Sequence, residues 1–81
     1  MERVSKEFYV LSRMHEAGMV NEERAAKAQA IAQLTNIEAS IIEEVMKILE
    51  QRQLVKRKSG GEETSFFVSP LGIIMASAIY T

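Results

Sequence analysis

A single change of hydrophobic period, at Leu54, divides this chain. Before it, apolar residues recur at helical spacing for some fifty positions. After it, Leu54-Val55-Lys56-Arg57-Lys58 and Thr64-Ser65-Phe66-Phe67-Val68 read as two short strands. Between them Ser59-Gly60-Gly61-Glu62-Glu63 supplies a turn with two glycines, which fits a hairpin. Ser69-Pro70 then reads as a helix N-cap followed by a first helical position, because proline brings a fitting φ and lacks only an N–H that is unpaired there anyway. The spacing predicts a mostly α chain with one β-hairpin, in the order helix, helix, helix, hairpin, helix.

The helical part divides at two breaks. A first helix is predicted over 4–17, with Val4, Phe8, Tyr9 and Leu11 at helical spacing and Lys6, Arg13 and Glu16 on the other face. Gly18 comes next, where a helix end favours a residue that tolerates left-handed backbone. A second helix is predicted over 21–34. Asn21 is its N-cap, Glu22 and Glu23 sit at the positive end of its dipole, and Ala25, Ala28, Ile31, Ala32 and Leu34 form its stripe. Thr35-Asn36 breaks the pattern, and asparagine accepts a left-handed turn. A third helix is predicted over 38–53, with Ile42, Val45, Met46 and Leu49 at i, i+3, i+4 and i+7 and with Ile41 and Ile48 off that stripe. The hairpin occupies 54–68 and the last helix 70–80.

Composition limits the functions open to such a chain. With 81 residues it has room for one domain, 1–81, whose core is small. No cysteine is present, which removes disulfides, thiolate metal sites and a cysteine nucleophile. One histidine, His15, does not make a two-histidine metal pair. No phosphate-binding glycine loop, carboxylate dyad or activated nucleophile is visible, and Ser12, Ser40 and Ser65 have no base beside them. The chain reads as a non-enzyme without cofactor or metal. Residues 1–6 carry no secretory signal, and the apolar stretch from Leu71 to Tyr80 is about half the roughly 20 residues a membrane span needs. The reading is a cytoplasmic protein of a cell or a virus, with no membrane partner.

The net charge of −1 gives no whole-chain argument for nucleic acid, but the charge is unevenly placed. From Lys47 to Lys58 the cations Lys47, Arg52, Lys56, Arg57 and Lys58 face Glu50 alone. From Asn36 to Met46 the anions Glu38, Glu43 and Glu44 have no cation among them.

The motifs in order resemble a known family. Ala30-Ile31-Ala32-Gln33-Leu34-Thr35-Asn36-Ile37 resembles the first helix and turn of a helix-turn-helix. Leu49-Glu50-Gln51-Arg52-Gln53-Leu54-Val55 resembles an exit into a wing whose fifth position is usually glycine, and Phe67-Val68-Ser69-Pro70-Leu71-Gly72 resembles the return strand and the start of a final helix. Together they resemble the winged helix-turn-helix regulators of the MarR-like or ArsR-like type, over the chain from about Phe8 onward. The small size resembles archaeal or archaeal-virus members.

This resemblance implies transcription regulation through double-stranded DNA, with the third helix in the major groove and the hairpin on the backbone. The implied DNA-facing residues are Asn36, Glu38, Ala39, Ser40, Ile41, Glu43, Glu44 and Lys47 on that helix and Lys56, Arg57 and Lys58 on the wing. Glu43 and Glu44 depart from the polar or basic residues expected there. The last helix is apolar around most of its circumference, which a domain of this size does not cover. A homodimer through Phe8, Tyr9, Leu71, Ile74, Met75, Ala78 and Ile79 is therefore expected.

Plainer readings stand beside these. A charged hairpin also discourages edge pairing, Glu43 and Lys47 form a favourable i,i+4 pair, and the methionines fill core or interface gaps. The alternative function is a protein-interaction or assembly module on the same fold, its acidic third helix docking a basic protein partner.

Overall fold

The computed structural model describes residues 5–58 and 63–79, and for Ile79 the backbone alone. Val4, Tyr80 and the turn residues Ser59, Gly60, Gly61 and Glu62 lie outside the described residues. Helix α1 spans Lys6–Glu16. Ser5 caps it, its hydroxyl accepting from the Phe8 N–H at 3.3 Å. Its far end closes on Gly18, at φ 81°, with Gly18 N–H donating to His15 O and Met19 N–H to Met14 O. That pair of bonds satisfies carbonyls that would otherwise be orphaned at a helix end, and it needs the positive φ that glycine adopts without strain. Val10, Leu11 and Met14 are buried.

The helix predicted over 21–34 is corrected by the structure. Asn21 does act as a cap, accepting from Arg24 N–H at 3.0 Å, but the turn it caps is a 3-10 turn over Glu22–Arg24. Ala25 is extended, and Ala26–Lys27 form a short strand, β1. Helix α2 begins only at Ala28 and runs Ala28–Thr35. Tertiary pairing overrides local preference here. Alanine and lysine favour helix, but an extended backbone at Ala26 and Lys27 pairs an otherwise open sheet edge. The return strand β3 (Ser65–Val68) is that partner, with Ala26 opposite Phe66 and Lys27 opposite Ser65. The pairing is continued upstream by Val68 N–H donating to Met19 O at 2.8 Å.

After α2, Asn36 takes left-handed backbone at φ 59°, and Ile37 N–H reaches back to Ala32 O at 3.2 Å. The Thr35 hydroxyl is buried and donates to Ile31 O at 2.8 Å, so its polarity is satisfied inside the helix. Helix α3 spans Ala39–Gln51 and buries Ile42, Val45, Met46 and Leu49. Its exit repeats the α1 closure: Gln53 N–H donates to Glu50 O and Leu54 N–H to Leu49 O, but the left-handed position, φ 63°, is held by Gln53. Strand β2 (Val55–Lys58) pairs with β3 with Val55 opposite Val68 and Lys58 opposite Ser65. The hairpin is therefore part of an antiparallel sheet of order β1-β3-β2.

Helix α4 spans Pro70–Ile79. The Ser69 hydroxyl accepts from the Gly72 N–H at 3.0 Å and donates to Gln53 O at 2.7 Å, joining the start of α4 to the end of α3. Leu54 O accepts from Ser69 N–H, and a Cβ on Gly72 would lie 2.0 Å from that same oxygen. Only the missing side chain of Gly72 lets the two backbones approach this closely. The core lies among the four helices and the sheet, gathering Leu54, Val55, Phe66, Val68 and Ala76 of α4 with the helical residues already named.

Candidate nucleic-acid interface

The interface begins with the two devices that fix α3. The left-handed Asn36 turns the chain between α2 and α3, and the buried stripe of α3 anchors one side of that helix on the core. Its other side is set toward solvent. Asn36, Glu38, Ser40, Glu43, Glu44 and Lys47 are exposed, while Ala39 and Ile41 are half-buried. Ile41 packs against the core, so it contributes less of its side chain to that surface than the residues around it.

The wing cations are exposed as well, but they do not act as one patch. Successive strand residues point to opposite faces. Arg57 lies opposite Phe66, and its guanidinium is 5.6 Å from that ring's centre and 2.9 Å from a Glu50 carboxylate oxygen. Lys56 and Lys58 take the opposite face of the strand. Among the described residues neither of them, nor Lys47, has an ion-pair partner. The trio of adjacent cations in the sequence is thus one anchored arginine and two lysines without such an anchor.

Between α3 and the sheet runs an open groove of about 430 Å³. Its lining includes the cations Lys27, Lys47 and Arg57 and the carboxylates Glu43 and Glu63. Sequence spacing assigns Lys27 to a helix and gives no sign that it belongs here. The β1–β3 pairing brings it to the groove, where it ion-pairs with Glu63. A two-residue strand has no period to read, so local sequence holds no signal for it.

The described residues hold no group of three or more metal-ligating side chains, and no helix among them is long and apolar enough to cross a membrane. The residues expected at a subunit contact fall on two packed helices. Phe8 is half-buried on α1, and Tyr9 is exposed beside it. On α4, Leu71, Ile74, Met75 and Ala78 are exposed, Ile74 to 65%.

No protein-family model matches the chain, and no curated protein sequence matches it. Solved structures do. The chain is similar to the solution structure of the DNA-binding TubR fragment from Clostridium botulinum, with a TM-score of 0.82 and 19% identity over 98% of this chain and 99% of that one. It is also similar to TubR from Bacillus megaterium pBM400, with a TM-score of 0.78 and 18% identity over 98% of this chain and 90% of that one. The fold is a winged helix-turn-helix. At such identities the likeness is one of backbone, reached with different residues at most positions.

Proposed function

We propose that this protein is a homodimeric, cytoplasmic regulator of transcription that binds double-stranded DNA. The observation that supports it best is the whole-chain fold likeness to a fragment described as DNA-binding. In this reading α3 enters the major groove, with Asn36, Glu38, Ala39, Ser40, Ile41, Glu43, Glu44 and Lys47 toward the bases. Lys56, Arg57 and Lys58 contact phosphates, and the exposed apolar residues of α4, with Phe8 and Tyr9, join two copies so that a two-fold site is read twice. The regulator would be of the winged helix-turn-helix class to which the MarR-like and ArsR-like proteins belong.

The test is fluorescence anisotropy of a random-sequence duplex titrated at several salt concentrations. Binding should weaken steeply with salt, because each neutralised phosphate releases counterions. Replacing Lys56 and Arg57 together by alanine should weaken binding to every sequence alike, by roughly ten-fold, and flatten the log–log salt slope by up to about 2. Unchanged binding in that double variant would remove the wing from the interface.

The three exposed carboxylates Glu38, Glu43 and Glu44 favour a second reading, an interaction module that docks a basic protein on α3. Glu43→Lys separates the two. It should strengthen non-specific duplex binding if α3 meets phosphates and abolish capture of a basic partner if α3 meets protein.

A further inference from the structure

Two of the cations that the groove gathers are already held by carboxylates of the same chain. Arg57 is bound by Glu50 at 2.9 Å, and Lys27 is paired with Glu63. The two pairs are built alike. Each cation comes from a strand of the sheet, Lys27 from β1 and Arg57 from β2, and each lines the same groove beside Lys47. Register sets Lys27 in line with Lys58, the two flanking Ser65 on either side of the central strand. Lys27 therefore shares a sheet face with the wing lysines while also bordering the groove that Arg57 lines from the other face. A cation that spacing alone assigns to a helix is thus the far-edge counterpart of a wing lysine.

The Lys27–Glu63 pair is a weak one. Both side chains keep about 60% of their exposure, and exposed pairs of this kind add little stability and are screened by salt. Neither partner is needed to satisfy a buried group. A strong polyanion therefore competes for Lys27 on favourable terms, since it offers several phosphates at once and gains from the counterions it releases.

From this we infer that Lys27 is a further phosphate-contacting residue of the interface, masked by Glu63 until duplex DNA replaces the carboxylate. The inference rests on the DNA-binding reading proposed above. It adds a contact on the β1 side of the sheet, away from the β2 wing. It also gives the two carboxylates a purpose: they make phosphate-only binding weaker than the cations alone would make it. The weakening comes from exchange, because each of these phosphate contacts must first break an ion pair.

A double-mutant cycle on the full chain tests it, using a random-sequence duplex and anisotropy at several salt concentrations. Glu63→Gln should tighten binding by about three- to ten-fold at low salt, because no ion pair has to break first, while the log–log slope changes little, since the Lys27 phosphate contact is already made in the unmodified complex. Lys27→Ala should weaken binding by a similar factor. In a Lys27→Ala background the Glu63→Gln change should have almost no effect, because the carboxylate acts through that lysine. An equal gain from Glu63→Gln with and without Lys27 overturns the inference, since it would reflect only the removal of a distant negative charge. Unchanged binding in Lys27→Ala overturns it too, and leaves the wing assignment standing. Absence of any duplex binding by the unmodified protein at low salt overturns the DNA reading itself. Circular dichroism on all variants confirms that each keeps the fold, which exposed substitutions should preserve.

Discussion

Helices α3 and α4 are of similar length and both pack on the core, yet they finish very differently. Helix α3 buries Ile42, Val45, Met46 and Leu49 along one stripe and gives water Glu43, Glu44 and Lys47. Helix α4 buries Gly72 and Ala76, half-buries Ile73, and leaves Leu71, Ile74 and Met75 exposed. The first is amphipathic and complete within one chain. The second has apolar residues on the side that the domain does not cover. A helix whose apolar residues match its buried stripe belongs to the monomer, and one whose apolar residues overrun it points to a contact beyond the monomer.

The sharpest way to break this comparison is to truncate one side chain on each helix. Leu49→Ala should cost about 3 kcal/mol, because it empties a fully buried site that the surrounding helices cannot close. Ile74→Ala should shift unfolding by no more than about 0.5 kcal/mol in dilute solution, as exposed substitutions do. Urea unfolding of the two variants at low protein concentration measures the difference. Equal losses would mean that Ile74 is covered within the monomer and that the two helices are alike.

The next effect is smaller and concerns the homodimer proposed above. Ile74→Glu should leave the monomer folded but weaken self-association by roughly 100-fold, about 2.7 kcal/mol. Analytical ultracentrifugation over a range of concentrations reads this directly. A monomer at every concentration, with or without the substitution, would remove the homodimer and leave the apolar face of α4 unexplained.

Much of the fold is legible in the residues themselves, and the part that is not has a physical cause. Periodicity carries α1 and α3, the Ser69-Pro70 start carries α4, and the change to strand period with its two-glycine turn carries the hairpin. Asn36 announces its left-handed turn because asparagine is one of the few residues that adopts one readily. The segment from Asn21 to Lys27 is the exception, since its spacing imitates the start of a helix. Its asparagine is a genuine cap and its acidic first turn is genuine too, but they open a single 3-10 turn. Ala26 and Lys27 are extended because they pair with residues some forty positions away, and local sequence cannot report that partner. The candidate interface suffers from the same blindness. Lys27 is hidden by the helix-like spacing around it, and the Arg57–Glu50 pair spans the α3 exit, whose path depends on a left-handed glutamine.

That glutamine yields the smallest of the expected effects. The family resemblance anticipates glycine in this position, and Gln53 sits at φ 63° with a Cβ that disfavours such backbone. Gln53→Gly should stabilise the fold by about 0.5 kcal/mol, the relief of strain being partly offset by greater freedom in the unfolded chain. A small rise in the urea midpoint with an unchanged slope would confirm it. A fall would show that the Gln53 side chain does more for the α3 exit than its backbone costs.

The close approach of Gly72 to Leu54 has an evolutionary consequence. Most positions of this fold ask only for a class of residue, such as apolar, polar or tolerant of a turn, and many sequences satisfy them. Position 72 asks for the absence of a side chain, since even a methyl group would meet the Leu54 carbonyl and Val68. A lineage drifting under selection for shape can therefore rewrite the outer face of α3 and the exposed side of the wing far more freely than it can replace one buried hydrogen at the foot of the wing.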